Sequence, residues 1–223
     1  MSEMSSVESR EPKQPREGIY SSSRVERSIT VIAIAIASIG LGYLFFTQLW
    51  WKAPPDFGCN QNFESTGLCY WVGREAELAD EPPLTRFQAN IVGSQPGPEI
   101  ALPVGLAKQA NGAFVKNVVQ PNIRYMGWVL WGAEALAFLS LCLGLFSRLG
   151  ALAALGVSTH LMLGLGGAPN EWEWSYQLMM LLSIAMFGLA PGRYFGLDRL
   201  LRPRLKLLSE RGSRLSRLLV AFT

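Results

Sequence analysis

The chain has one histidine, His160, set in a run otherwise made of Leu, Ala, Val, Met and Gly. Upstream, Glu134 stands inside a second apolar run. An imidazole titrates near neutrality, so a buried carboxylate–imidazole pair could take up and deliver protons. Polar groups placed in hydrocarbon are costly, so each needs a partner or a task. Other candidates surround this pair. Arg124, at the start of the Glu134 run, could attract an anionic substrate. Trp172, Trp174 and Tyr176 could flank a planar ring, with Gln177 as a polar neighbour. The same arginine and aromatics also fit the belt that anchors helices at a membrane interface. No Cys-x-x-Cys occurs, and a single histidine cannot supply two haem ligands, so no metal site is expected. No glycine-rich phosphate loop follows a strand, so a nucleotide cofactor is unsupported.

The elements that must position these groups are long and apolar. Nearly half of the 223 residues are hydrophobic, and the charges crowd into separate stretches. Crossing about 30 Å of hydrocarbon takes about 20 apolar residues as an α-helix. Four segments reach or approach that length, at about 29–51, 123–146, 149–168 and 174–190. Pro191 and Gly192 end the last. The expected fold is all-α: a polytopic membrane protein with a four-transmembrane-helix bundle and a long extracytoplasmic loop, 52–122, between helices 1 and 2.

Charge sets the orientation. Basic residues run from Arg193 to Arg217 against only Asp198 and Glu210, and Arg148 occupies the short connection between the second and third segments. The loop before the fourth segment carries Glu171 and Glu173 and no base. The positive-inside rule then places both termini in the cytoplasm. Cys59 and Cys69 fall in the outer loop, where an oxidising compartment permits a disulfide. Cys142 reads as a packing residue.

Residues 1–28 mix Ser, Glu, Arg and Pro and read as a disordered cytoplasmic arm. Residues 29–201 form the membrane domain, and 202–223 a basic, amphipathic cytoplasmic tail attracted to anionic headgroups. Within the outer loop, Leu106, Ala110, Phe114 and Val118 recur four apart. This spacing suits a helix lying on the membrane or one packed on the cap. No domain accompanies the basic tail, so nucleic-acid binding is not expected.

The second and third helices run antiparallel through a two-residue connection and must be neighbours. Glu134 lies about 17 Å from the outer end of its helix at 1.5 Å per residue, and His160 about as far from the inner end of the next. Both therefore come near one depth, and a Glu134–His160 hydrogen bond is expected. Ala153, Gly156, Gly164 and Gly167 lie around His160 at three-four spacing, turning it toward the protein interior. Gly40, Tyr43 and Thr47 predict the packing face of the first helix, and Gln177 is expected to be buried.

Several motifs together resemble the DoxX family: the intramembrane glutamate in Gly-Ala-Glu-Ala-Leu-Ala, the Leu-Gly-Leu-Phe-Ser-Arg-Leu-Gly turn, His160, Asn170 before an aromatic segment, and Gly-Arg-Tyr-Phe-Gly-Leu-Asp. The long first loop, with Pro121-Asn122 before the second helix, is similar to the DoxD-like branch. That branch includes the small subunit of thiosulfate:quinone oxidoreductase. The resemblance implies a multi-pass protein of a prokaryotic plasma membrane and no covalently bound cofactor. It also implies quinone as a substrate, and a partner subunit in the membrane or outside the cytoplasm. On this reading Glu134 and His160 relay protons. The alternative is a non-catalytic scaffold in which the same two groups only join helices. A small transporter is less well supported, because inverted or broken-helix repeats are absent from the pattern.

Overall fold

A computed structural model describes residues 24–59, 67–79, 102–166, 171 and 173–223. Most of the expected arm, much of the outer loop, Gly167, Asn170 and Trp172 lie outside the described residues. Among those described there is no strand. The helices are α1 (Arg24–Leu49), α2 (Leu68–Leu78), α3 (Leu102–Phe114), α4 (Ile123–Leu143), α5 (Ser147–Leu165), α6 (Glu173–Leu189), α7 (Asp198–Glu210) and α8 (Arg214–Phe222). Three helical stretches are long and apolar enough to cross a membrane: Arg24–Leu49, Leu106–Leu143 and Ser147–Leu165. Trp174–Leu189 is apolar but shorter.

Four helices pack as a ring in the order α1, α4, α5, α6, with α6 returning to α1. Leu41, Phe45, Ala137, Leu141, Ala151, Ala154, Val157 and Met186 fill its core. The outward faces carry Ile29, Ile32, Ile36, Leu139, Leu143, Leu181 and Ile184 exposed, as surfaces meeting lipid do. The packing face of α1 is Ile34, Ser38, Leu41, Gly42 and Phe45, while Gly40 and Tyr43 face outward. The expected Gly40–Tyr43–Thr47 face is therefore corrected. Ser38 Oγ donates to the Leu141 carbonyl at 2.8 Å, and Gly42 leaves room for Cys142, so two other small residues bring α1 against α4.

A single helical path joins α3 to α4. A π-helical turn, Val115–Val119, and a 3₁₀ turn, Gln120–Asn122, carry the chain past Pro121 without a break in direction-keeping contacts. Proline has no N–H and crowds the preceding turn, which such irregular turns relieve. The amides of Asn117 and Asn122 donate to the carbonyls of Ala113 and Val118, one turn back. α3 packs on α5 and α2. It is packed on the cap through these contacts, while Leu106, Phe114 and Val118 stay exposed.

The cap has its own small core of Phe57, Leu68, Val72, Ala76, Val115 and Val119. Cys59 and Cys69 form a disulfide, and Leu68 N–H donates to the Phe57 carbonyl at 2.9 Å. Phe57 lies against Gly127, where any Cβ would come within 2.7 Å of the ring. Cys59→Ser with Cys69→Ser is expected to lower stability by about 2–3 kcal/mol, the loop-closure contribution of a short bridge. Thermal melts with and without reductant check this; coincident melts would contradict it.

At the opposite end, α4 stops at Gly144, whose φ of +60° is left-handed. Gly192 and Gly196 press against Gly144, where no side chain would fit. Asp198 N–H donates to the Gly144 carbonyl at 2.8 Å. The Asp198 carboxylate accepts from Phe146 N–H at 2.6 Å, Ser147 N–H at 2.9 Å and Ser147 Oγ–H at 2.7 Å, capping α5. The expected tail is two helices rather than one, turning at Gly212 (φ +93°). Its boundary at 202 falls inside α7. α8 folds back so that Arg193 Nε donates to the Thr223 carbonyl at 2.8 Å, and Arg148 to that of Ala221 at 3.2 Å.

Candidate functional site between cap and ring

Lys52 follows α1 by three positions, in the turn that begins the cap. Its ammonium is paired with Glu134 Oε1, and both side chains are buried. Trp51 lies under the ammonium, 4.7 Å from Nζ to the ring centroid, and Trp131 Nε1 donates to the Leu49 carbonyl at 3.3 Å. The end of α1 is thereby fixed on α4. Burial pulls the Lys52 pKa below the ordinary lysine range, while Glu134 and, more weakly, Glu75 oppose that shift. Glu134 Oε2 is buried with no hydrogen-bond partner among the described residues.

His160 is held from the cap, not by Glu134. Its Nδ1 lies 2.8 Å from Asn111 Oδ1 on α3. Its Nε2 lies 3.2 Å from Glu75 Oε2 on α2. Both ring nitrogens face oxygens, an arrangement that suits a doubly protonated imidazolium. The expected Glu134–His160 hydrogen bond is corrected: each group took a partner from the loop between α1 and α4. Glu75 is 4% exposed and reaches His160 because Gly164, one turn further along α5, has no side chain. A Cβ there would stand 2.7 Å from Glu75 Cδ. Gly164→Ala should therefore displace Glu75 and cost about 1–3 kcal/mol, the usual penalty of overpacking. Thermal melts and the His160 ring NMR signals check this, and an unmoved imidazole signal would contradict it.

These groups share one cavity of about 570 Å³. Leu44, Phe45, Gln48 and Trp51 line it from α1 and its end, Leu130 and Glu134 from α4, and Val157, His160, Leu161 and Leu165 from α5. Trp71, Val72 and Glu75 of α2 roof it, and Glu171, Tyr176 and Met179 complete the wall. Tyr176 O–H donates to Glu171 Oε2 at 2.7 Å. The size is that of an ordinary small-molecule site, mostly apolar with a few polar groups converging.

No protein-family model, curated protein or solved structure matches this chain.

Of the residues the sequence nominated, Glu134, His160 and Tyr176 line the cavity. Arg124 is exposed, as are Trp174 and Gln177, and none of these three lines it. Trp172 is outside the described residues. Gln177 was expected to be buried; it lies on the outward side of α6, one position past Tyr176, which turns inward. Lys52, Glu75 and Asn111 were not nominated. Glu75 left one signal: it shares a face of α2 with Leu68, Val72 and Ala76, an acid on an otherwise apolar stripe. No group of three or more His, Cys, Asp or Glu able to hold a metal occurs among the described residues.

Proposed function

We propose that the chain is a membrane subunit of a quinone-linked oxidoreductase of the DoxD-like kind. In this reading α1, α4, α5 and α6 span a prokaryotic plasma membrane, the cap faces outward, and both termini are cytoplasmic. A quinone head sits in the cavity beneath the cap. The observation that carries the proposal is the wall of that cavity, where Lys52, Glu134, Glu75 and His160 stand beside an apolar chamber. Reducing a quinone to a quinol takes two electrons and two protons. The four groups sum to zero charge when both carboxylates are ionised and Lys52 and His160 are both protonated. Donation of the His160 proton to a quinone oxygen leaves one net negative charge, which draws a replacement proton. His160, once reprotonated, delivers the second proton, and Glu134 Oε2, buried and unpartnered, is placed to accept a hydrogen bond from the quinol hydroxyl so formed. The relay therefore pairs His160 with Glu75, and Glu134 with Lys52.

The resemblance supplies thiosulfate as the electron donor. Two thiosulfate ions joined through a new sulfur–sulfur bond release two electrons, which balances one quinone and two protons. Glu75, Glu134 and Glu171 outnumber Lys52 and His160 around the cavity, so a dianion is disfavoured there. Donor oxidation belongs on another surface or on a partner subunit. The tail helices, with Leu200, Leu207, Leu215 and Leu218 exposed among basic residues, rest on anionic headgroups.

A second reading is favoured by one fact: the contacts of Lys52, Glu75 and Asn111 all join cap to ring, as structural latches of a scaffold would. Reconstituted protein, together with whatever co-purifies, separates the two readings. Quinone binding is measured first, then quinol formation with thiosulfate. His160→Ala and Glu75→Gln should slow reduction by about 100-fold or more, the usual contribution of a positioned acid, while binding changes little. Absence of quinone binding, with an intact complex, would leave the scaffold.

A further inference from the structure

The wall of the cavity under the cap reaches the protein surface on the α1 side. Two lining residues are also substantially exposed: Leu44 at 46% and Trp51 at 38%. Both belong to α1 and the turn that follows it. Across the cavity from them, Tyr176 and Met179 line it from α6. Around the ring, α1 and α6 make the least extensive contact of any neighbouring pair among the described residues. Met186 closes the ring deeper down, in the core shared with Leu41 and Phe45. Toward the cap, the cavity lies where α1 and α6 would otherwise meet.

The exposed side chains at this border are apolar and its polar ones are paired: Leu44 continues the exposed face of α1 that includes Ile36, Ile39 and Tyr43, exposed Leu178 adjoins Met179 on α6, and Tyr176 O–H donates to Glu171. An aqueous portal would be rimmed by charged or hydrogen-bonding groups. Gln48, which also lines the cavity, is instead occupied by Trp51 Nε1–H, donated at 3.1 Å to its Oε1. Trp51 thus sits as a hinged edge at the upper rim, its indole tied back onto α1 and its face beneath the Lys52 ammonium.

We infer that the cavity is reached laterally from the bilayer, between α1 and α6 at Leu44 and Met179, and that its ligand is a long-chain amphiphile whose tail lies in this gap. The polar head, without net charge, occupies the chamber beside His160 and Glu134. The tail leaves past Leu44 into hydrocarbon, so the ligand never crosses water. This inference rests on the proposed quinone function and adds to it a route and a requirement for a tail. The acids of the wall, which outnumber its bases, disfavour an anionic head, and a chamber of about 570 Å³ holds a head and the first part of a chain, not a whole isoprenoid.

The test compares two quinones with the same head, one bearing a decyl tail and one with none, by equilibrium dialysis against the purified full chain in micelles. Leu44→Trp and, separately, Met179→Trp fill the gap from opposite sides. Ile36→Trp, on the exposed face of α1 away from the cavity, is the control. The gap-filling variants should bind the tailed quinone about tenfold more weakly, a difference well within reach of one displaced contact surface, and the tail-less one unchanged. Ile36→Trp should alter neither. Equal weakening of both quinones, or of neither, overturns the lateral route while leaving quinone binding in place. If the unsubstituted protein binds neither quinone, the functional reading falls and the route falls with it. Melting of each variant is measured alongside: Leu44→Trp and Ile36→Trp, at exposed side chains, should melt as the parent does, and a loss of binding to the tailed quinone alone in Met179→Trp, whose side chain also touches the core, shows that the loss is local.

Discussion

Lys52→Met alone is expected to destabilise the protein by about 3–5 kcal/mol, and adding Glu134→Leu is expected to recover most of that loss. The reasoning turns on burial. Lys52 is 6% exposed and Glu134 3%, so each charge has given up nearly all its water. Their attraction in a weakly polarisable interior offsets that desolvation only while both are present. Removing the ammonium leaves a buried carboxylate in a cavity wall that includes Trp51, Phe45 and Leu130, with its paired cation gone. Removing both leaves an apolar contact between the end of α1 and the middle of α4, which can be neutral or even stabilising. Denaturation of the two single variants and the double variant forms a thermodynamic cycle. A double variant as unstable as the sum of the singles would show that the two charges are not coupled. The cycle also bears on function, because the recovered double variant would be folded yet unable to hold a proton at this position.

Asp198→Ala should cost about 3–4 kcal/mol, from the loss of a helix cap and the exposure of buried donors without acceptors. Asp198 has no exposed surface, and its carboxylate accepts from two backbone N–H groups and one hydroxyl at the start of α5. An anion at a helix N-terminus is further favoured by the partial positive charge there. The same carboxylate sits one step from the Gly144–Gly192–Gly196 contact, so its loss should loosen α7 as well as α5. Asp198→Asn retains one acceptor oxygen and should fall between wild type and Ala. The readouts are thermal melting and trypsin cleavage at the arginines of α7 and α8. Melting and cleavage unchanged in Asp198→Ala would remove the capping role.

Much of this arrangement is written locally and can be read as such. The apolar runs gave α1, α4, α5 and α6 to within a few residues, because length and hydropathy are local properties. The mid-helix positions of Glu134 and His160 brought them to the same cavity. Partner choice was not legible. Lys52, Glu75 and Asn111 come from a loop with only short helices, and apart from the place of Glu75 on the apolar face of α2 nothing in its spacing says which side chain turns inward. The small residues misled in two places and informed in another. Gly40 and Gly156 have open space around them, whereas Gly42 and Gly164 are where neighbouring groups press in; a glycine in sequence marks permission for close approach, not its occurrence. Gln177 failed for a related reason. One residue along a helix rotates the side chain by about 100°, since 3.6 residues make a turn, and Tyr176 took the inward position.

The partners of the buried pairs are far apart along the chain, and this has a consequence for biogenesis. Lys52 and Glu134 are separated by 82 residues, and Glu75 must wait for His160 on a later helix. On the proposed membrane topology, a chain inserted helix by helix presents Lys52, Glu75 and Asn111 to water before α4 and α5 are in place. Until then Glu134 and His160 have no counter-ion, and each is an expensive passenger in its nascent helix. On the proposed topology docking of the cap comes last, and it brings five solvated or stranded polar groups together in a single step. Assembly of the site and completion of the fold are then the same event.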